Sequence, residues 1–288
     1  MRMAEQLGAA LAGALGVPAQ AMTSIAGGDV NLAWSVRLAD SREIFVKSNP
    51  RAPAGMFAAE AHGLAWLAEA GALRLPRVLA VGDDPAFLAL EMLRPGRRVA
   101  DFDARLGRGL AVLHRAGAPG FGLDRDNFIA TLPQRNRGVA TSWASFYAAE
   151  RLVPQVRLAI DRGRGPAGWG AAFEALHARL PALAGEAEPP ARLHGDLWWG
   201  NLCVDEAGLP ALIDPAVYGG HREVDLAMLA LFGPVSDALL GGYGEIYPLA
   251  AGWRERVALW QLYPLLVHVN LFGGSYVEAV TAILRRHV

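Results

Sequence analysis

Three polar side chains in the second half of the chain have the types and the order that phosphoryl transfer requires. Asp196 is followed by Asn201 and then by Asp214. A carboxylate can accept the proton of an attacking hydroxyl, whereas an amide oxygen and a second carboxylate are hard ligands that suit Mg²⁺. Such a set serves a nucleotide donor whose phosphates are bridged by Mg²⁺. The residues therefore predict ATP and Mg²⁺ as cofactors, with Asp196 as catalytic base and Asn201 and Asp214 as metal ligands.

The spacing of these residues is more specific than their types. His194-Gly195-Asp196 with Asn201 matches the kinase catalytic-loop pattern His-x-Asp-x-x-x-x-Asn, and Asp214 follows where kinases carry a metal-binding aspartate. His194 lacks a second histidine or cysteine at ligand spacing, so we expect it to brace the loop rather than bind a metal. We expect Asp225 to bond the backbone amides of the loop, or to act as a carboxylate near a helix N-terminus.

A lysine and a glutamate in the first half of the chain form a second candidate set. Phe45-Val46-Lys47 resembles the Val-Ala-Ile-Lys strand of protein kinases, and Glu60 lies on the next predicted helix. If the two side chains pair, Lys47 can reach the α and β phosphates of ATP; otherwise both are ordinary surface charges. Gly27-Gly28 predicts a turn between strands where backbone amides approach phosphates, although the same pair is also common in plain hairpins.

The order of predicted elements indicates an α+β, protein-kinase-like fold of two lobes. A β-rich lobe over residues 1–93, which grips the nucleotide phosphates, contains strand-like segments around one helix at Met56–Ala70. A helical lobe over 94–288 carries the catalytic loop and the substrate site. Its helical segments are Leu106–Leu113, Trp143–Ile160, Ala171–Leu180 and the chain beyond Arg222.

The remaining residues that could bind the nucleotide lie at the junction of the two lobes. Glu91-Met92-Leu93 ends an apolar strand there, and its backbone groups could bond the adenine edge. A simple connector between the lobes is equally consistent with these residues. Pro95-Gly96 is the most plausible hinge.

Composition limits the partners that the chain can have. The net charge is −1 at pH 7, so no basic field indicates nucleic acid or an anionic membrane, and a small substrate is favoured. Cys203 is the single cysteine, which fits a reducing, cytoplasmic environment.

The apolar start of the chain could be a secretory signal, but Leu7, Leu11 and Leu15 recur every four residues, as in an amphipathic helix. Val257–Phe272 contains polar residues and reads as a buried helix rather than a membrane span.

Several segments identify the chain more narrowly. It resembles the fructosamine kinase (ketosamine-3-kinase) family over nearly its whole length. The segments that carry this resemblance are Ile25–Asn31, Phe45-Val46-Lys47, Met56–Ala61, Leu113-His114, Asp126–Ile129, Pro133–Asn136, Trp143–Tyr147, Arg151-Leu152, His194–Trp198 and Asp214–Met228. Asp-Leu-Trp and Asp-Pro-Ala separate this family from aminoglycoside and choline kinases of the same fold.

The resemblance implies an ATP-dependent kinase that phosphorylates the C3 hydroxyl of ketosamines, which are sugars linked to amines. It implies Asp196 as proton acceptor, Asn201 and Asp214 as metal ligands, and Lys47 with Glu60 as the phosphate-binding pair. Small sugar-amines, and glycated protein side chains, are then the candidate substrates, and deglycation the outcome. Trp199 stands where a small residue is expected, which narrows the sugar side of the pocket.

Aromatic residues near the catalytic loop suggest where a sugar could bind. Trp198, Trp199 and Tyr218 offer flat apolar faces, with His268 and Asn270 as hydrogen-bonding partners, although such aromatic residues can equally be core. Two other functions remain open at this stage. One is a phosphotransferase of the same fold acting on an aminoglycoside, choline or homoserine-like alcohol, and the other is a nucleotide-binding pseudokinase.

Overall fold

The computed structural model describes residues 2–25, 31–138 and 140–288. The predicted turn at Gly27 and Gly28 lies outside these ranges. The strands are β1 (Ala19–Ile25), β2 (Leu32–Leu38), β3 (Glu43–Ser48), β4 (Val78–Asp83), β5 (Ala86–Glu91), β6 (Asn127–Ile129), β7 (Leu132–Gln134), β8 (Ala191–Leu193), β9 (Leu202–Val204), β10 (Pro210–Leu212) and β11 (Tyr218–Gly220). The helices are α1 (Arg2–Leu15), α2 (Met56–Ala68), α3 (Phe102–Arg115), α4 (Trp143–Phe146), α5 (Val153–Asp161), α6 (Trp169–Leu183), α7 (Glu223–Leu231), α8 (Asp237–Ile246), α9 (Trp253–Trp260), α10 (Leu262–Phe272) and α11 (Ser275–His287).

The N-terminal lobe is an antiparallel sheet covered by one helix on each face. Its strands lie in the order β1-β2-β3-β5-β4. Because side chains alternate along a strand, Ile44 and Val46 of β3 face α1 and pack with Leu7 and Leu11. The alternate residues Phe45 and Lys47 face α2, which places Lys47 on the same side of the sheet as Glu60. This alternation explains how one strand serves both the core and the site.

The C-terminal lobe is mainly helical, with short strand pairs that support the loops between them. β9 pairs with β10, and β8 pairs with β11, both antiparallel. β9 and β10 thus form a hairpin. A large apolar cluster joins the helices α4 to α6 with α9 to α11. Within the described part of the chain, no helix has both the length and the apolar character that crossing a membrane requires.

Two prolines shape the helices of this lobe. The predicted helix over 143–160 is present, but Tyr147–Leu152 forms a π-helical turn between α4 and α5. Pro154 has no N–H to donate to the carbonyl of Glu150, and Arg151 Nη1 donates to that carbonyl instead, at 3.2 Å. The buried segment predicted over 257–272 is two helices, α9 and α10, because Pro264 likewise cannot donate to Trp260.

The connector between the lobes is fixed by backbone contacts. Gly96 N donates to Val204 O at 3.2 Å, and Val99 N donates to Gly208 O at 3.2 Å. A Cβ on Gly96 would lie 2.1 Å from the carbonyl oxygen of Asp205, so only glycine fits there. The connector thus lies directly on the β9–β10 hairpin. The division at residues 93 and 94 stays a prediction.

Candidate active site

Asp225, at the start of α7, holds the beginning of the catalytic loop. Its carboxylate accepts from His194 N at 2.8 Å and from Gly195 N at 2.9 Å. It is fully buried and also contacts His114 Nε2 at 3.2 Å. Burial by itself would raise the pKa of Asp225, but the hydrogen bonds from His114 and the loop backbone bring that pKa below its usual value. The prediction that Asp225 braces the loop is confirmed.

The catalytic loop and the loop that carries Asp214 are joined directly. His194 O accepts from Ala216 N at 2.9 Å, and the imidazole Nε2 donates to Ile213 O at 2.9 Å. Gly195 has a φ of +81°, and a Cβ there would lie 2.0 Å from the carbonyl oxygen of Ala216. Burial lowers the pKa of His194, so the ring is neutral and its Nδ1 can accept from Asp196 N at 3.3 Å. His194 is the loop brace that the sequence predicted.

Asn201 orients the carboxylate of Asp196. Its Nδ2 donates to Asp196 O at 2.9 Å, to Asp196 Oδ2 at 3.1 Å and to Asp214 O at 3.5 Å. Since the amide nitrogen is committed to these acceptors, Oδ1 of Asn201 remains available to a cation. Oδ1 of Asp196 remains available to a hydroxyl. The three residues predicted from spacing are therefore adjacent in space.

Lys47 connects the N-terminal lobe to Asp214. Its Nζ lies 2.7 Å from Glu60 Oε1 and also forms an ion pair with Asp214 Oδ1. Helix α2 lies close to Val217, in the chain that follows Asp214, because Gly63 has no side chain. A Cβ on Gly63 would lie 3.2 Å from Val217 Cγ2. The predicted contact between Lys47 and Glu60 is confirmed, and the contact with Asp214 is additional.

The charges of the site follow from burial and from these contacts. Burial alone would lower the pKa of Lys47, but the carboxylates of Glu60 and Asp214 outweigh it and raise that pKa. Lys47 is therefore a permanent cation. Burial raises the pKa of Asp196 to about 7, and the negative charges of Asp214 and Asp225 act in the same direction, against the hydrogen bond from Asn201. A carboxylate with a pKa near neutrality is suited to accept a proton from an alcohol during catalysis.

The residues fit a nucleotide with Mg²⁺. Asp214 has a carboxylate that is 38% exposed and a backbone φ of 57°, a conformation that aspartate tolerates. Asp214 and Asn201 together offer oxygen ligands to one cation, and Mg²⁺ usually takes few protein ligands because phosphates and water complete its shell. Across the described ranges, no cluster of three or more His, Cys, Asp or Glu residues could hold a metal by itself. Such a cation therefore needs a phosphate partner.

A small cavity opens beside Asp196. It is lined by Ile129, Gly195, Asp196, Val224, Met228, Tyr263, Pro264, Val267 and His268. Its walls are mostly apolar, and Asp196 contributes the carboxylate. An alcohol placed there would lie next to this carboxylate. We refer to it as the acceptor cavity, after the role that we propose for it below.

The residues predicted to bind the sugar separate into two groups. Trp198 is exposed on the catalytic loop, and His268 lines the acceptor cavity. Trp199 is half-buried, and its Nε1 donates to Leu229 O at 3.1 Å. Tyr218 is fully buried under the guanidinium of Arg151, and Asn270 Nδ2 donates to Gln155 at 2.8 and 2.9 Å.

The sugar site that we propose is therefore smaller than the one predicted from the sequence. Tyr218 and Asn270 belong to the core and have no surface to offer a ligand, so neither is part of the site that we propose. Aromatic type and closeness in sequence could not distinguish a wall of the pocket from its support.

The predicted adenine contacts lie where β5 ends and the connector between the lobes begins. Glu91 ends β5, and its carboxylate pairs with Arg74 at 2.5 Å and with Arg77 at 3.3 Å. Met92 and Leu93 follow where the chain leaves the sheet, and both are half-buried. Their backbone role toward adenine stays a prediction.

A buried polar cluster beneath the site was not predicted. Asn127 Nδ2 donates to Val217 O at 2.8 Å, and Gln134 Nε2 donates to Ala216 O at 3.0 Å. Arg151 Nη2 donates to Asn136 Oδ1 at 2.7 Å, which ties the same cluster to the π-helical turn. The cluster fixes the chain that follows Asp214. The segments that carry it were noted in the sequence for their resemblance, but without a structural role.

We expect Lys47 and Glu60 to act as one unit. Lys47→Met should lower kcat/KM for ATP by about 100-fold or more, the effect of losing one preorganised group at a reacting phosphate. Glu60→Ala should have a smaller effect, because Glu60 only orients Lys47. Since the pair is in contact, the double variant should be little worse than Lys47→Met.

A double-mutant cycle of kcat/KM measures this coupling, with Glu5→Ala on the exposed face of α1 as a neutral control. If the effects of Lys47→Met and Glu60→Ala simply multiply, the two residues act independently.

The stability of the protein should depend on pH through Asp196. The pKa of Asp196 is about 7 in the folded protein against an ordinary value of 3.8, so the folded state holds a proton that the unfolded state releases. The free energy of unfolding therefore falls as the pH rises between these values. Asp196→Asn removes this loss and should stabilise the protein by at most about 4 kcal/mol at pH 8 and by at most about 2 kcal/mol at pH 5.

Urea denaturation of both proteins at the two pH values tests this expectation. Asp83→Asn, at an exposed position, is the matched control. An Asp196→Asn variant whose stability gain is the same at pH 5 and pH 8 would contradict a raised pKa at this position.

Known proteins resemble this chain along its whole length. The family model described as fructosamine kinase matches residues 3–288. A probable ketoamine kinase of Synechocystis sp. is 38% identical over 271 residues, which cover 93% of this chain and 90% of the relative. A protein-ribulosamine 3-kinase of Arabidopsis thaliana is 34% identical, with 91% of this chain and 80% of the relative covered.

Solved structures agree in fold. The crystal structure of a protein from Thermobifida fusca, named as a candidate fructosamine-3-kinase, is 41% identical, has a TM-score of 0.88 and covers 97% of each chain. More distant phosphotransferase structures, at 18% identity or below, share the fold alone. The predicted two-lobe, protein-kinase-like α+β fold is confirmed. The chain belongs to the fructosamine kinase family of phosphotransferases.

Proposed function

We propose that the protein transfers the γ-phosphoryl group of ATP to the C3 hydroxyl of ketosamines. The observation that carries this proposal is the position of Asp196, whose carboxylate lies between the acceptor cavity and the Asn201–Asp214 pair. A hydroxyl bound in that cavity is placed next to the base and next to the side where phosphates would lie. The names of the relatives supply the acceptor class.

The nucleotide side is formed by residues of both lobes. Bound Mg²⁺ would supply charge neutralisation on the phosphates and a bridge between them. Asn201 and Asp214 would hold it through their oxygens, and Lys47 would bind phosphate oxygens, held in place by Glu60 at 2.7 Å. Backbone groups of Met92 and Leu93, at the junction of the lobes, are our candidates for adenine. Gly27 and Gly28 remain candidates for phosphate contacts from the sequence.

The acceptor side is formed by the catalytic loop. Asp196 orients the C3 hydroxyl and accepts its proton as the oxygen bonds to phosphorus. Because the pKa of Asp196 is about 7, the carboxylate is a stronger base than an exposed aspartate. His268 and Trp198 border the place where the rest of the sugar would lie. Most of the rate enhancement in such transfers comes from positioning and charge stabilisation.

The proposed product explains why the reaction would remove the sugar. Phosphate on C3 lies next to the C2 carbonyl. Enolisation toward C1 places a C1=C2 double bond beside the C3–O bond, and phosphate then leaves with the electrons of that bond. Water hydrolyses the resulting imine at C1 and releases the free amine. The amine can belong to a small molecule or to a protein side chain.

The experiment is incubation of the protein with ATP, Mg²⁺ and the ribulosamine of lysine. We expect ADP first, followed by free lysine and inorganic phosphate in equal amounts without a further enzyme. A stable phosphate ester, or turnover only with choline or an aminoglycoside, would assign the protein to another acceptor class. ATP binding without any turnover would favour the pseudokinase alternative. Since Cys203 is a free thiol and ATP is the donor, we place this reaction in the cytoplasm.

A further inference from the structure

An exposed group of aromatic side chains lies beyond the acceptor cavity. We call it the aromatic rim, and it consists of Trp198, Phe232, His268, Phe272 and Tyr276. It is assembled from the catalytic loop, the end of α7, α10 and the start of α11. Large aromatic side chains normally bury their surface, so a contiguous exposed group of them marks a binding surface more often than a structural one.

The rings of the rim form a continuous chain of contacts. Ring centroids are 5.8 Å apart for Trp198 and Phe232, 5.2 Å for Phe232 and His268, and 4.8 Å for His268 and Tyr276. Phe272 lies 5.6 Å from His268. Despite these contacts, Trp198 is 39% exposed, Phe232 37% and Phe272 55%. The surface is thus a continuous aromatic wall that still has area to bury.

His268 belongs both to the rim and to the acceptor cavity that contains Asp196. Its Nδ1 lies 2.7 Å from the carbonyl oxygen of Pro264, which can only accept, so Nδ1 carries the proton. Burial lowers the pKa of His268, so the ring is neutral and Nε2 has a free lone pair. The rim therefore begins at the edge of the acceptor cavity, and Nε2 of His268 is a hydrogen-bond acceptor at that edge.

The chemistry of this surface limits what can occupy it. A ketosamine carries its amine on C1, two carbons from the reacting C3 hydroxyl. The nitrogen and its substituent must leave the cavity when C3 faces Asp196. Aromatic faces favour apolar and aromatic groups, and they also attract a protonated amine through cation–π interaction.

From this arrangement, and resting on the proposed function, we infer that the aromatic rim binds the apolar substituent on the nitrogen of a low-molecular-mass ketosamine. Phe272 and Tyr276 contact that substituent, and Trp198 and Phe232 form the wall nearest the sugar. The rim thereby selects ketosamines of aromatic or bulky aliphatic amines over those of very small amines. None of the rim residues beyond His268 takes part in the transfer itself.

The test compares two synthetic ribulosamines, one made from methylamine and one from benzylamine, which differ in the apolar substituent. With wild type, we expect a KM roughly tenfold lower for the benzylamine adduct and a similar kcat for both, because the ring is bound alike in substrate and transition state. Phe272→Ala and Tyr276→Ala should raise the KM of the benzylamine adduct and leave that of the methylamine adduct unchanged. Phe272→Trp should preserve the preference.

Val112→Ala, at a position on α3 that is 38% exposed, is the matched control and should change neither constant. Equal KM values for the two adducts in wild type would overturn the inference while leaving the proposed function intact. An equal effect of Phe272→Ala on the KM of both adducts would overturn it as well. If Phe272→Ala raised the KM only of ribulosylated peptides, and not that of the benzylamine adduct, the rim would be a binding surface for polypeptide substrates instead. Absence of turnover with both adducts would overturn the proposed function and this inference together.

Discussion

An Asp196→Asn variant is expected to lose kcat by a factor of about 100 to 10,000, which is the usual contribution of a positioned general base. Asparagine retains the size of aspartate and can still accept from Asn201 through its amide oxygen, so the loop should keep its shape. It cannot take the proton of the C3 hydroxyl. ATP affinity should stay close to wild type, since Asp196 faces the acceptor cavity. Steady-state kcat and calorimetric ATP binding provide the two measurements.

Two further variants make this result interpretable. Asp196→Glu keeps a carboxylate but moves it by one methylene, and it should retain more activity than Asp196→Asn. Asp83→Asn, far from the site in β4, should behave as wild type. If Asp196→Asn abolished ATP binding and left kcat unchanged, Asp196 would belong to the nucleotide site and the proposed base would have to be another residue.

Asp214→Asn should lower turnover by about 1000-fold or more, because a cation on a transferring phosphoryl group stabilises charge by several kcal/mol. Asparagine is the appropriate replacement, since it tolerates the backbone φ of 57° at this position. Lys47 loses one of its two carboxylate partners but retains Glu60. The variant should fold normally and should need a higher Mg²⁺ concentration for half-maximal activity.

Circular dichroism and a Mg²⁺ titration of kcat check these expectations. Asn201→Ala is the companion variant, because it removes the other proposed ligand and leaves the contact between Lys47 and Asp214 in place. It should shift the Mg²⁺ titration in the same direction. A folded Asp214→Asn protein with near wild-type turnover would remove Asp214 from the metal site.

The catalytic loop could be predicted because its chemistry is local in sequence. Asp196 and Asn201 lie in one short loop, so the conformation of the few residues between them determines the distance between their side chains. Asp214 is near enough in sequence to follow from the same pattern. Lys47 and Glu60 required a further assumption about how α2 lies on the sheet, and the resemblance of Phe45-Val46-Lys47 to the lysine strand of protein kinases provided it. The contact between Lys47 and Asp214 joins the two lobes and was not predicted.

Burial of individual side chains was harder to predict. Tyr218 and Asn270 have residue types that suit sugar binding, but their environment depends on long-range packing. Arg151 covers Tyr218, with the guanidinium 3.9 Å from the ring centroid, and Gln155 binds Asn270. No short-range pattern connects these partners. For the same reason the aromatic rim was missed, because Phe232, Phe272 and Tyr276 are brought together only by the packing of α7, α10 and α11.

The π-helical turn at Tyr147–Leu152 has a consequence for engineering. Removing one residue from this turn would restore regular α-helical hydrogen bonding, and helix propensity alone would favour that change. It would also rotate Arg151 by about 100° about the helix axis, away from Tyr218 and from the polar cluster beneath Asp214. A design method that rewards ideal backbones would therefore make this helix regular. It would also remove the contacts of Arg151 that support the active site from below. The irregular turn is best treated as a fixed constraint in any thermostabilised variant.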